Sequence, residues 1–264
     1  MANLQLRLRS RVETFKGSGD WDEITLEKSF PVDQVAILLC DLWDSHWCKG
    51  AAQRVAEMVP RINLTIGAAR RKGVQIIHSP SDTVDFYANT PFRRRIIDVP
   101  LVEPPTPLDL PDPPLPIDDS DGGCDTGEDV PRRFWTRQHP GITIAGSDVI
   151  SDQGIEVYSF LKAQGIATLI IMGVHTNMCV LNRSFAIKQM TRWGIRCILV
   201  RDLTDAMYNP ARAPYVSHAE GTELVIEHIE KYWCPTVLSR DLQSALRRMP
   251  SGHLHRRGGS ATNQ

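Results

Sequence analysis

The stretch Leu169–Met190, LIIMGVHTNMCVLNRSFAIKQM, decides the fold. LIIMGV is a continuous apolar run of the kind that forms a strand buried on both faces. HTN interrupts it as a polar turn, and MCVLNRSFAIKQM restarts with apolar side chains at helical spacing. The pattern predicts strand, turn and helix, with Cys179 at the start of the helix. Unpaired backbone N–H groups and the partial positive charge of a helix N-terminus favour a thiolate over a thiol. A cysteine in that place is a candidate nucleophile, although free cysteines are more often small core residues.

Similar apolar runs lie on either side. VAILLCD (35–41) and VQIIHSP (74–80) precede the stretch, and IRCILVRD (195–202) and the shorter CPTVLS (234–239) follow it. RRFWTRQHPGITI (132–144) reads as a further short strand. Between them fall helical patterns: Val55, Met58, Val59, Ile62, Ile66 and Ala69 on one face, with Pro60 expected to kink or restart the helix; SDQGIEVYSFLKAQGI with Ser151 or Asp152 as its cap; and Leu224, Val225, Ile226 and Ile229. Strands alternating with helices predict an α/β fold built on a parallel sheet covered on both faces, and about six strands fit the length. Polar groups at the carboxyl ends of such strands face the crevice where open α/β sheets bind ligands. Asp41, His78, Cys179 and Asp202 are therefore brought to one side of the sheet.

The remaining segments decorate this core. LQLRLRSRV and EITLEKSF alternate with period two around GSGDWD, which predicts an N-terminal β-hairpin, the extension 1–30 before a main domain over 31–248. Residues 100–130 form a Pro-rich, acidic run that fits neither a helix nor a central strand. Its length marks it as an ordered excursion or lid over the domain. The tail 249–264 is basic, poor in apolar residues and expected to lack structure.

Whole-chain properties narrow the partner. Of the 264 residues, 42% are hydrophobic and 23% charged, an ordinary balance for a globular chain with a large core. With 30 Lys and Arg against 31 Asp and Glu, the chain has no general attraction for nucleic acid or an anionic membrane, so a small molecule is the expected partner. No signal-peptide pattern opens the chain, and no segment approaches the roughly 18 uninterrupted apolar residues of a membrane span. A cytoplasmic location is expected. The six cysteines, at 40, 48, 124, 179, 197 and 234, show no CxxC pair and no Cys/His zinc spacing, so reduced thiols are expected rather than a disulfide framework or a structural zinc site.

VAILLCDLWD, GIATLIIMGVHTNMCV and the helix after it resemble the isochorismatase-like cysteine hydrolases, the superfamily that includes nicotinamidases; the resemblance spans roughly 33–205, and GVHTNMCV (173–180) matches its GVxTxxCV motif. It implies a three-layer α/β/α sandwich, Cys179 as nucleophile and Asp41 as its base. It also implies a cis peptide at Val174–His175, an oxyanion hole from the N–H groups of His175 and Cys179, and a homo-oligomer, dimer or tetramer. The family's catalytic lysine is not found. Arg137 and His139 are the nearest cations by position, and only His139 titrates near neutrality. The family's nicotinamidases hold a metal through an Asp and His residues after the second strand; here SDTVDFYANT supplies Asp82 and Asp85 with no histidine beyond His78, so neither a metal nor another cofactor is expected. His46 and Trp47 after Asp41, with His78, Tyr87 and Asn177, are candidate substrate contacts, and Cys48 a bystander thiol. The expected activity is hydrolysis of a C–N bond in a small amide, imide or ureido-type substrate through a thioester on Cys179. The alternatives are vinyl-ether hydrolysis with Asp41 as acid, and an inactive binding scaffold.

Overall fold

The computed structural model describes residues 2–128 and 133–249. Its strands are β1 (Asn3–Glu13), β2 (Trp21–Pro31), β3 (Val35–Cys40), β4 (Gln75–Ser79), β5 (Val149–Ile150), β6 (Thr168–Val174), β7 (Arg196–Asp205) and β8 (Thr236–Val237). Its helices are α1 (Lys49–Arg71), α2 (Pro91–Ile97), α3 (Gly154–Ala163), α4 (Cys179–Asn182), α5 (Ile187–Arg192), α6 (His218–Tyr232) and α7 (Ser239–Arg248). No helix among the described residues is long and apolar enough to cross a membrane.

One eight-stranded sheet has the order β2-β1-β8-β7-β6-β3-β4-β5. The six strands from β3 onward pair in parallel. The β1–β2 hairpin extends the same sheet by pairing antiparallel with β8 at Arg9–Thr236. The continuous apolar runs are explained by burial on both faces. Ala36, Leu38 and Cys40 point into a core shared with α3, α5 and α6, while Val35, Ile37 and Leu39 point into a second core under α1 and α7. This is the α/β/α sandwich, with the hairpin's Leu4, Leu6 and Leu8 sealing the second core.

Several local expectations fail for identifiable reasons. α1 runs unbroken through Pro60, which is exposed, as is Ala56 one turn earlier, so the carbonyl that loses its N–H partner faces water. The segment 133–144 forms no strand beyond a single bridge between Trp43 and Gln138, and the sheet edge is instead β5. The helix after the HTN turn splits into α4 and α5, because extended backbone at Arg183 and Ala186 lets Ser184 pack against the start of α3. Ser184 Oγ accepts the Gly154 N–H at 3.0 Å, and a Cβ on Gly154 would lie 2.3 Å from the Ser184 carbonyl. α3 begins at Gly154 with Gln153, not Ser151 or Asp152, as its flanking residue.

The 100–130 run, as far as Glu128, lies against the domain as a strap. Leu108 N–H donates to the Arg192 carbonyl, Asp118 N–H to the Ala213 carbonyl, and Asp112 pairs with Lys188 and Arg192. Of the tail only Met249 is described, its carbonyl accepting from Lys72 Nζ at 2.6 Å; residues 250–264 lie outside the described residues.

Candidate active site

Two neighbouring parallel strands, β3 and β6, lead to the candidate pair Asp41 and Cys179. β3 ends at Cys40, and Asp41 follows with φ 47°, a left-handed conformation costly for a residue with a side chain and most often kept at functional positions. On β6, Gly173 has φ 124°, and a Cβ there would lie 2.0 Å from the Cys40 carbonyl, so only glycine lets the end of β6 pass this close to β3. The Val174–His175 peptide is cis, and the chain turns through His175–Met178 into Cys179.

Asp41 is fully buried and is the hub of the site. One carboxylate oxygen accepts the Ser81 N–H at 2.7 Å, and the other accepts the Arg183 Nε–H at 3.1 Å. The Cys179 thiol lies close enough for the carboxylate charge to act on it. Burial raises the Asp41 pKa, opposed by the Arg183 charge and by these donors. Burial and the Asp41 charge push the Cys179 thiol up, against the pull of the Arg183 charge. A helix-start thiolate is therefore not what the structure shows. α4 is a single turn, and desolvation beside a carboxylate outweighs its dipole, so the thiol is favoured over the thiolate.

The cation is Arg183. It lies four residues after Cys179, so one helical turn returns its side chain to the same side, where it spans Asp41 and, at 3.5 Å, Asp82. Arg137 and His139 do not fill this place. The Arg137 guanidinium stacks on the Phe86 ring at 5.3 Å, and His139 Nδ1 accepts the Gly141 N–H at 3.1 Å in a bend of its own. The i,i+4 relation between Cys179 and Arg183 was visible in the sequence and is the pattern that finds this cation; a search confined to the position of the family's lysine misses it.

A cavity of about 460 Å³ opens over the thiol, lined by Leu115, Asp119, Asn177, Met178, Cys179, Asn182 and Arg183. The strap thus supplies part of the wall through Leu115 and Asp119. A hollow of about 610 Å³ around Asp33, Gln34, Gly73, Gln75 and Gln164 lies at the amino ends of the strands, away from this chemistry and from the end where such sheets bind ligands.

Most of the expected substrate contacts have other work. His78 is buried with both ring nitrogens engaged, by Gln138 Oε1 at 2.9 Å and Asp148 Oδ2 at 3.0 Å. It is on the α1 side of the sheet, so His78, Asp82 and Asp85 do not assemble the nicotinamidase metal set. The Tyr87 hydroxyl accepts the Gln138 N–H and braces that loop. Asn177 does line the cavity, but its amide is spent on Asp119, at 2.7 Å, and on both backbone groups of Met207. His46 stacks with Trp43 and Trp135 and meets the His175 ring at 4.9 Å; burial lowers its pKa to about 4, so it is neutral. Trp47 packs beside Gly122 of the strap. Asp202 leaves the site altogether, because β7 continues past a register shift to Asp205 and Asp202 accepts the Ser239 N–H and hydroxyl at the start of α7.

Beside the turn, Asp205 accepts from Arg54 Nε at 2.8 Å and contacts His218 at 2.9 Å, while Arg54 also forks onto Asp125 of the strap. This ionic knot ties the end of β7, α1, α6 and the strap around the turn that carries Cys179.

No protein-family model matches the chain, and no curated protein matches it. Solved structures do. A cysteine hydrolase from Pseudomonas syringae pv. phaseolicola superposes with a TM-score of 0.53 at 17% identity, over 83% of this chain and 94% of that chain. An isochorismatase from Pseudomonas putida matches at 14% identity over 80% of this chain and 92% of that chain, with a TM-score of 0.48. The sheet order, the two helical layers and the first of these superpositions agree, and the chain has the fold of the isochorismatase-like cysteine hydrolases.

Proposed function

We propose that this chain is a hydrolase that cleaves the C–N bond of a small amide, imide or ureido-type compound through a thioester on Cys179. The observation that carries the reading is a fully buried carboxylate, Asp41, held by the Ser81 N–H and by Arg183, which lines the same cavity as the Cys179 thiol. As the sulfur adds to the substrate carbonyl, its proton passes to Asp41, and the oxyanion is received by the backbone N–H groups of His175 and Cys179. Asp41 returns the proton to the departing nitrogen, the C–N bond breaks, and the acyl group remains on sulfur. Asp41 then takes a proton from water as it attacks the thioester, and collapse expels the sulfur, which is reprotonated.

Arg183 gives this site a different division of labour from a lysine-bearing one. A guanidinium stays charged throughout and moves no proton, so it balances the Asp41 charge while Asp41 alone carries protons. Arg183 donors and the Asp119 carboxylate in the cavity wall suit the C=O and N–H groups of amide-like compounds.

The test is a screen for ammonia release over amides, imides and ureido compounds, with Cys179→Ala and Asp41→Asn as controls. Turnover lost in both variants supports the reading. Turnover retained by Cys179→Ala, or cleavage confined to a vinyl ether, refutes it.

A further inference from the structure

Cys48 and Cys124 stand far apart in sequence, yet the fold sets their sulfurs side by side. Cys48 Sγ, Cys124 Sγ and the Glu128 carboxylate all lie within 4.8 Å of one another, the one such group of potential metal-binding side chains among the described residues. Both cysteines are buried, in a small cluster with Ala51 and Met207 flanked by Trp47 and Met178. The Cys124 thiol donates to Glu128 Oε2 at 3.3 Å and the Cys48 thiol to Asp125 Oδ1 at 3.7 Å. The Thr126 hydroxyl sits between the two sulfurs, 3.5 and 3.6 Å away, and 2.5 Å from Glu128 Oε2.

The three groups are close enough for a tetrahedral thiophilic ion to draw together. With Zn–S bonds of about 2.3 Å and a Zn–O bond of about 2.1 Å, tetrahedral geometry puts the sulfurs about 3.8 Å apart and each sulfur about 3.6 Å from the oxygen. Cys48 opens the long helix α1, and Lys49 and Arg54 pair with Glu128 and Asp125, which draws the end of the strap onto the start of that helix. The donor set of two sulfurs and a carboxylate selects zinc or a similar borderline-soft ion over magnesium or calcium.

We propose that Cys48, Cys124 and Glu128 form a structural binding site for a thiophilic divalent cation, zinc above all, with water or the Thr126 hydroxyl as fourth ligand. Binding exchanges two thiol protons for the ion and clasps the strap to the start of α1. The clasp bears on the cavity without touching the reacting atoms, because the strap carries Asp119 and Leu115 into its wall. It does not depend on the hydrolase reading, since neither Cys179 nor Asp41 takes part.

Cobalt(II) is the probe, added to the reduced full-length protein and to its Cys179→Ala, Cys124→Ser and Glu128→Gln variants, with release of protons followed in parallel. The expected result is thiolate-to-cobalt absorption at one equivalent in the wild type and in Cys179→Ala, displaced by zinc, with zinc raising Tm. The signal is lost in Cys124→Ser, and affinity falls about tenfold or more in Glu128→Gln, a variant on the partly exposed side that keeps both thiols and checks for misfolding of the serine variant. Absence of thiolate absorption in the reduced protein overturns the proposal. So does absorption that survives Cys124→Ser but vanishes in Cys179→Ala, or a Cys48–Cys124 disulfide whose reduced form binds no metal.

Discussion

Replacing Arg183 by alanine removes the cation facing a carboxylate that has no exposure to solvent. The Nε–Oδ2 separation is 3.1 Å, and two unit charges at that distance attract by about 5 kcal/mol at an effective dielectric near 20. The Arg183 side chain is 34% exposed, so solvent screens the pair, and roughly half, about 2–3 kcal/mol, is left to stabilise the ionised base. If that stabilisation is needed for Asp41 to take the thiol proton, Cys179 acylation slows by about 30- to 150-fold. The assay is the burst of leaving group from a small chromogenic ester, which reports acylation of Cys179 whatever the natural substrate. Arg183→Lys restores the charge without the fork and is expected to lose about tenfold or less. Acylation by Arg183→Ala within about threefold of the wild type refutes the assignment, as does a larger loss in Arg137→Ala or His139→Ala.

Further outcomes follow from the same contacts. Asp41→Asn is expected to abolish acylation while leaving Tm unchanged or higher: burial raises the folded pKa, so the protonated group stabilises the fold at acidic pH, that contribution fades as pH rises through the folded value, and the neutral amide keeps it throughout. A marked fall in Tm would count against it. Burial pulls His218 down, but the hydrogen bond and charge of Asp205 raise it overall, so its contribution is full below its ordinary pKa and fades as pH rises through the folded one. The Tm deficit of His218→Ala should therefore be larger near about pH 6 than near about pH 9, and a pH-independent deficit would contradict the pairing. Arg9 of the hairpin donates to Glu230, whose side chain is fully buried and which also accepts from Thr236 beside β8. Arg11 also pairs with Glu230, at 3.3 Å, so Arg9→Ala is expected to cost about 1–3 kcal/mol in urea unfolding and Arg9→Ala with Arg11→Ala more, and a double variant as stable as the wild type would contradict the ionic anchoring of the hairpin.

The layered architecture was legible because strands buried on both faces must be apolar throughout, and VAILLCD, VQIIHSP and LIIMGV are. The hairpin was legible from its period-two alternation, but nothing local shows that Arg9 joins β8 across the whole chain. α2 was missed although Thr90 and Pro91 mark a helix start, with the Thr90 hydroxyl accepting the Arg93 N–H. At the site, Asp41 stood out because it ends an apolar strand run, and Cys179 because it opens the helix that follows one. Arg183 was overlooked because the family's lysine precedes the motif, whereas this cation follows it by one helical turn; what the unbroken apolar pattern through Ser184–Ile187 hides is the backbone break between α4 and α5. His78 and Tyr87 misled for a related reason: a strand-end position brings a residue near the crevice, but its side chain follows whichever buried partner needs it, here Asp148 and the Gln138 backbone. The Cys48–Cys124 pair has no sequence signature, since it depends on how the strap lies across α1.

The most direct test of the thiol reading is intact-protein mass spectrometry of the enzyme quenched during turnover of an amide found by the ammonia screen. The account predicts an adduct with the mass of the acyl fragment on the Cys179 peptide, labile to hydroxylamine, accompanied by one ammonia per acylation and absent from Cys179→Ala. Turnover that proceeds with no adduct and continues in Cys179→Ala would contradict it.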